Sequence, residues 1–107
     1  MKTLKFENKL AKLVLRGEKD VTWRIFDDKD LTIDDELILI NRDTKEEFGK
    51  AKIISVREKK MGDIVAADYD GHEKYESHEK MLETYRGYFG DAVTNESIVK
   101  IIEFKLL

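Results

Sequence analysis

The stretch Gly17-Glu18-Lys19-Asp20-Val21-Thr22-Trp23-Arg24 sets an amine, a hydroxyl and a guanidinium close together in the chain. Gly17 suits the left-handed residue that stops a helix. Lys19 follows on a turn, and Val21, Trp23 and Ile25 then alternate as a strand does. Period-two geometry puts Thr22 and Arg24 on one face and Val21 and Trp23 on the other. With Trp23 and Ile25 on the core face, Thr22 and Arg24 stand inside or at the mouth of a small barrel. The long stem of Lys19 can swing to the same place. Cations so placed can contact a phosphate or a base. The same residues also suit a solvated strand face, with Lys19 and Arg24 paired to some of the 23 acidic residues. The sequence leaves both readings open.

Other motif-like stretches carry less. Asp68-x-Asp70-Gly71 resembles the middle of a calcium loop, but its first and twelfth positions would be Ala66 and Ser77, neither a carboxylate. Asn95-Glu96-Ser97 is a formal glycosylation sequon without a secretory context. Gly87-Tyr88-Phe89-Gly90 imitates a GxxG loop, although Gly90 reads better as a helix stop. His72 and His78 lie near Glu73 and Glu76, but a spacing of six does not put them on one helix face. No metal and no cofactor are expected.

The elements that position these residues follow from periodicity. Thr3–Phe6 reads as a short strand, Glu7–Arg16 as a helix with Leu10, Leu13 and Val14 on its apolar stripe, and Val21–Phe26 as a strand. The polar stretch Asp27–Asp35 turns the chain into an apolar strand over Glu36–Asn41. Asp43-Thr44-Lys45 forms a hairpin tip, and Phe48–Glu58 is a long strand. Residues 61–70 contain a short helical turn around Ile64 and Val65. Ser77 caps a helix bearing Met81, Leu82, Tyr85, Tyr88 and Phe89, and Ile98–Leu106 closes the chain as a strand. Strands separated by turns rather than by crossover helices favour an α+β fold: a small mixed barrel of about five or six strands with two flanking helices. Leu10, Leu13, Val21, Trp23, Leu37, Leu39, Ile53, Leu82, Tyr85 and Phe104 are the expected core.

With 107 residues, 41% hydrophobic and 40% charged, the chain fits one globular domain over residues 1–107 and not a disordered tail. Apolar runs such as Leu37–Ile40 are strand-sized, far short of the roughly 20 residues a bilayer requires. The opening Met-Lys-Thr-Leu-Lys-Phe has no signal-peptide character, so a cytoplasmic location is expected. The absence of cysteine excludes disulfides, thiolate metal sites and a cysteine nucleophile. A net charge of −3 argues against an indiscriminate nucleic-acid coat. Residues 1–24 nevertheless hold seven basic and three acidic side chains, so the remainder carries −7. That basic quarter is either a local anion-binding surface or a solvated helix face.

The G-x-K-x-x-T-x-R pattern of Gly17, Lys19, Thr22 and Arg24 after a short helix resembles the ASCH domain, a PUA-like barrel family. Three further features occur in the same order: the strand entry Asp34-Asp35-Glu36-Leu37-Ile38, the segment Gly71-His72-Glu73-x-Tyr75 before the last helix, and the closing Ile102-Glu103-Phe104. Many ASCH domains carry Glu where this chain has Thr22. The Thr form is similar to the small bacterial acetylcytidine amidohydrolase. The resemblance implies RNA or a modified pyrimidine nucleoside as partner, with Gly17, Lys19, Arg24, Tyr69 and His72 as binding residues and Trp23 or Tyr69 available for stacking. It also implies an alternative, hydrolysis of the acyl group of acylated cytidine by Lys19, Thr22 and Glu73, with Glu76 a second candidate for the carboxylate. In that scheme Lys19 takes the Thr22 proton, Arg24 supplies positive field and holds the oxyanion, and Glu73 protonates the leaving amine or holds water. Asp20 opposes the lowering of the Lys19 pKa if it turns inward. The site is expected to work without membrane contact, in a monomer.

Overall fold

The computed structural model describes residues 1–26 and 29–107; Asp27 and Asp28, in the turn expected over 27–35, lie outside the described residues. Five strands carry the fold: β1 (Lys2–Phe6), β2 (Val21–Ile25), β3 (Glu36–Asn41), β4 (Glu47–Lys60) and β5 (Ile98–Leu106). Two helices, α1 (Asn8–Leu15) and α2 (His78–Phe89), join them, together with two single 3₁₀ turns over Met61–Asp63 and Ala66–Tyr69. Those turns flank Ile64 and Val65 instead of containing them.

The strands form one mixed sheet in the order β1-β3-β4-β5-β2. β1 runs parallel to β3, and the other neighbours are antiparallel. The sheet curls into a half-barrel and leaves β1 and β2 as its two edges. β3 and β4 are joined by a short hairpin, whereas β4 reaches its antiparallel neighbour β5 only through residues 61–97, which hold both 3₁₀ turns and α2, and β1 and β2 lie at opposite edges. Among the described residues no strand fills the space between those edges. Edge strands with charged side chains resist unwanted pairing, and this seam is lined by Lys5 and Arg24.

Both sheet faces are covered. On one, Ala11 and Val14 of α1 pack with Leu4, Phe6, Leu37, Leu39, Ile53, Ile102 and Phe104. On the other, Met81, Leu82 and Tyr85 of α2 pack with Trp23, Ile25, Val99 and Ile101. The helix α1 is rolled relative to its expected stripe. Ala11 and Val14 are buried, while Leu10 and Leu13 are half-buried, because Leu10 stands at the wall of the cleft described below. In β4 a register shift between Ile53 and Ser55 makes Ile54 a bulge residue. The bulge returns Val56 to the face of Ile53 and leaves Ile54 exposed.

Local signals explain the ends. Ser77 Oγ accepts from the Lys80 amide at 3.2 Å, and Gly90, with φ of 99°, stops α2. At the hairpin tip, Asn41 Oδ1 accepts from the Asp43 and Thr44 amides, and Asn41 Nδ2 donates to Asn8 Oδ1.

Candidate functional site

The edge of β2 that faces away from β5 organises the site. The Phe104 amide donates to the Asp20 carbonyl at 2.9 Å, so Asp20, Thr22 and Arg24 turn their peptide groups toward β5. By alternation, Val21 and Trp23 turn theirs to the free edge. The Val21 amide donates to the Gly71 carbonyl at 3.1 Å, and so does the Asp20 amide. This pins residues 70–73 against the start of β2. Gly71 has φ of 75°, and a Cβ there would collide with Asp20 Oδ1. Glycine meets that approach and the positive φ without the backbone strain or side-chain displacement another residue would impose.

The docked loop delivers Glu73 to Lys19. After α1 the chain wraps back, with the Glu18 and Lys19 amides both donating to the Leu13 carbonyl, and Lys19 is left only 2% exposed. Its Nζ donates to Glu73 Oε2 at 2.6 Å and to the free-edge carbonyl of Val21 at 2.7 Å. Burial lowers the Lys19 pKa, with a further push from Arg24, while Glu73 pulls the other way. Burial opposes ionisation of Glu73, yet Lys19 and His72 outweigh it and hold that carboxyl below its ordinary value. The pair is therefore an ammonium–carboxylate contact at neutral pH. Asp20 is exposed, and its effect on Lys19 is the weakest of the charges around it.

Thr22 is buried beside this pair, and its hydroxyl has no hydrogen-bond partner among the described residues. Arg24 spans the seam. Its guanidinium donates to the Lys5 carbonyl at 3.2 Å and lies over the Phe6 ring at 5.1 Å. Lys19, Thr22, Arg24 and Glu73 thus line one cleft, together with Lys5, Glu7, Leu10, Trp23, Arg42, Tyr85, Tyr88 and Phe89. Its floor offers about 40 Å³, room for about three waters. Counting the open mouth, the depression reaches about 380 Å³. Cations outnumber carboxylates around it, and Arg42 lies over the Tyr88 ring at 5.7 Å.

The other residues singled out in the sequence lie elsewhere. Gly17 is exposed after α1, with φ of 77°, and does not line the cleft. Glu76 is exposed too, so the carboxylate against Lys19 is Glu73. His72 sits behind the cleft wall. Its Nδ1–H donates to the Glu73 carbonyl at 2.7 Å, its Nε2 accepts from the Tyr85 hydroxyl at 3.1 Å, and its ring stacks on Trp23. Burial, with help from the Lys19 charge, lowers its pKa to about 4, so the ring is neutral at pH 7. Tyr69 packs on the same indole at 5.0 Å and lines a shallower groove with Val65, Tyr75 and His78. With its open mouth counted that groove is larger, about 740 Å³ against 380 Å³, but it holds none of the Lys19, Thr22, Arg24 and Glu73 group. Lys5, Arg42 and the α2 aromatics are cleft residues that sequence reasoning missed. The one available signal is the width of the α2 stripe, in which Tyr85, Tyr88 and Phe89 exceed what a helix of that length must bury.

No protein-family model matches the chain, and no curated protein matches it. Solved structures do. The ASCH domain from Lactobacillus crispatus superposes with a TM-score of 0.71 at 20% identity, over 92% of this chain and 70% of that one. ASCH from Zymomonas mobilis gives 0.69 at 14% identity, over 96% and 65%. The fold is that of the ASCH domain. A protein from Pyrococcus furiosus whose structure was solved in solution shares it over 99% of this chain and 96% of its own, with a TM-score of 0.64 at 17% identity. In this ASCH fold the cleft occupies the open seam of the half-barrel, where two edge strands and the C-terminal half of α2 meet.

Proposed function

We propose that the seam cleft binds a pyrimidine nucleoside, free or as one unstacked residue of single-stranded RNA. The observation that carries this reading is the convergence of Lys19, Thr22, Arg24 and Glu73 on a small floor beneath a mouth walled by aromatic rings and arginines. The floor takes the leading edge of one ring, and the sugar stays at the mouth. There Lys5, Arg24 and Arg42 can meet phosphate, and Tyr88 and Phe89 supply apolar area. The test is calorimetric titration with cytidine, N4-acetylcytidine and a short single-stranded RNA. Lys19→Ala and Arg24→Ala should each weaken binding about tenfold, the loss of one charge-assisted hydrogen bond. Wild-type protein that binds none of the three at low salt would refute the reading.

One observation favours a second reading, amide hydrolysis. The buried Lys19–Glu73 contact and the Thr22 hydroxyl line the same floor. Transfer of a proton from Lys19 to Glu73 would leave a neutral amine able to take the Thr22 proton. The alkoxide oxygen would attack the acyl carbon, and Arg24 would face the oxyanion. Collapse would break the C–N bond, with Glu73 returning its proton to the leaving amine. Water would then cleave the acyl-threonine and restore the hydroxyl. Release of cytidine from N4-acetylcytidine by wild type, but not by Thr22→Val, tests this. Equal rates in both would remove it.

A further inference from the structure

The free edge of β2 is almost fully used by the protein up to Val21 and then stops being used. The Val21 N–H donates to Gly71, and the Val21 carbonyl accepts from Lys19 Nζ. Across the seam, the Lys5 carbonyl accepts from Arg24. The next peptide groups on this edge are the N–H and C=O of Trp23. β2 has no second strand beside it, and no hydrogen bond from a described residue reaches them. Trp23 is only 2% exposed, and it lines the cleft. Its indole Nε1 is likewise buried without a partner among the described residues. Buried main-chain donors and acceptors are almost always satisfied, and the adjoining floor can supply the partner as water or as ligand.

Resting on the nucleoside reading above, we propose that the Trp23 N–H and C=O recognise the Watson–Crick edge of the bound pyrimidine as a matched donor and acceptor. A strand residue presents both groups on the same side. That is the complement of an adjacent acceptor and donor in a ring, such as N3 and the N4 amino group of cytosine or O4 and N3–H of uracil. Trp23 is held rigidly for this. Its indole is clamped by His72, stacked at 4.0 Å, and by Tyr69 and Tyr85. The neighbouring Thr22 hydroxyl lies on the same floor, where it can contact a substituent on the exocyclic nitrogen. Recognition through main chain discriminates ring edges without an Asn or Gln side chain in the cleft, and none lines it.

The experiment compares, by titration calorimetry on the intact protein, cytidine, 5-methylcytidine and N3-methylcytidine, with the Trp23 amide followed by ¹H–¹⁵N NMR. N3-methylation blocks the edge and should weaken binding at least about tenfold, since two hydrogen bonds are lost. Methylation at C5, away from the edge, should change affinity less than about threefold. The Trp23 amide resonance should shift downfield with cytidine and stay in place with N3-methylcytidine. Equal binding of cytidine and N3-methylcytidine, or an unmoved Trp23 amide at saturation, overturns the edge assignment while leaving the nucleoside pocket standing. Failure of all three nucleosides to bind overturns the pocket, and the edge assignment with it.

Discussion

Replacing Glu73 by Gln should expose how strongly the Lys19–Glu73 contact is built into the fold. Lys19 is 2% exposed, and its two hydrogen-bond partners are Glu73 Oε2 and the Val21 carbonyl. Removing one partner of a buried pair typically costs about 3–5 kcal/mol because the other charge stays buried. Here Glu73 keeps 21% of its side-chain surface and the Val21 bond survives, so the lower end applies: about 3 kcal/mol at pH 7. Without the carboxylate, only the weaker charge of Asp20 offsets the effect of burial and Arg24 on the amine, so the Lys19 pKa falls further. The unfolded chain then binds more protons than the folded one, and the penalty shrinks as pH rises through the variant's Lys19 pKa toward 10.5. Urea unfolding followed by fluorescence of Trp23, the single tryptophan, reads this directly. Adding Lys19→Met to Glu73→Gln should restore most of the lost stability, since the amine no longer has to be buried. A loss under about 1 kcal/mol for Glu73→Gln, or no recovery in the double variant, would refute the buried-pair argument.

Three further outcomes follow from neighbouring groups. His72, neutral when folded with a pKa of about 4 against 6.5 unfolded, makes stability fall by about 3 kcal/mol as pH drops from 6.5 to 4; urea midpoints across that range should decline in wild type and much less in His72→Gln. Gly71→Ala, strained at a φ of 75° and with its Cβ 3.1 Å from Val21 Cγ2, should shift the loop on β2 and lower nucleoside affinity more than it lowers thermal stability. If single-stranded RNA binds, two or three neutralised phosphates predict a log–log salt slope of magnitude near 2, measurable by filter binding. A slope near zero would leave a small-molecule site.

The fold was legible where a local signal repeats. The alternation Val21, Trp23, Ile25 placed the indole in the core, and it is 2% exposed. Ser77 and Gly90 marked the ends of α2 through cap chemistry that needs no tertiary partner. The bulge at Ile54 was not legible, because an apolar run inside a strand gives no hint of which residue the ladder skips. Nor was the opening between β1 and β2, which depends on sheet order and not on strand pattern.

The site divides in the same way. Thr22 and Arg24 share a face by period two, so their proximity could be read directly. Lys19 and Glu73 are 54 positions apart and meet because Gly71 allows a close approach that only the folded backbone reveals. His72 is a binding residue by the family resemblance alone, and its ring turns behind Glu73, where Nδ1–H donates to that residue's carbonyl. Arg42 comes from the β3–β4 hairpin and joins the mouth through the curl of the sheet, which no local pattern encodes.

The most direct test of the central claim is a ¹H–¹⁵N map of amide shifts as cytidine is added. The largest shifts should fall on residues 19–24, on Glu73 and on Tyr85–Phe89, the walls of the seam cleft. Shifts that cluster on Val65, Tyr75 and His78, or a spectrum unchanged at millimolar cytidine, would contradict it.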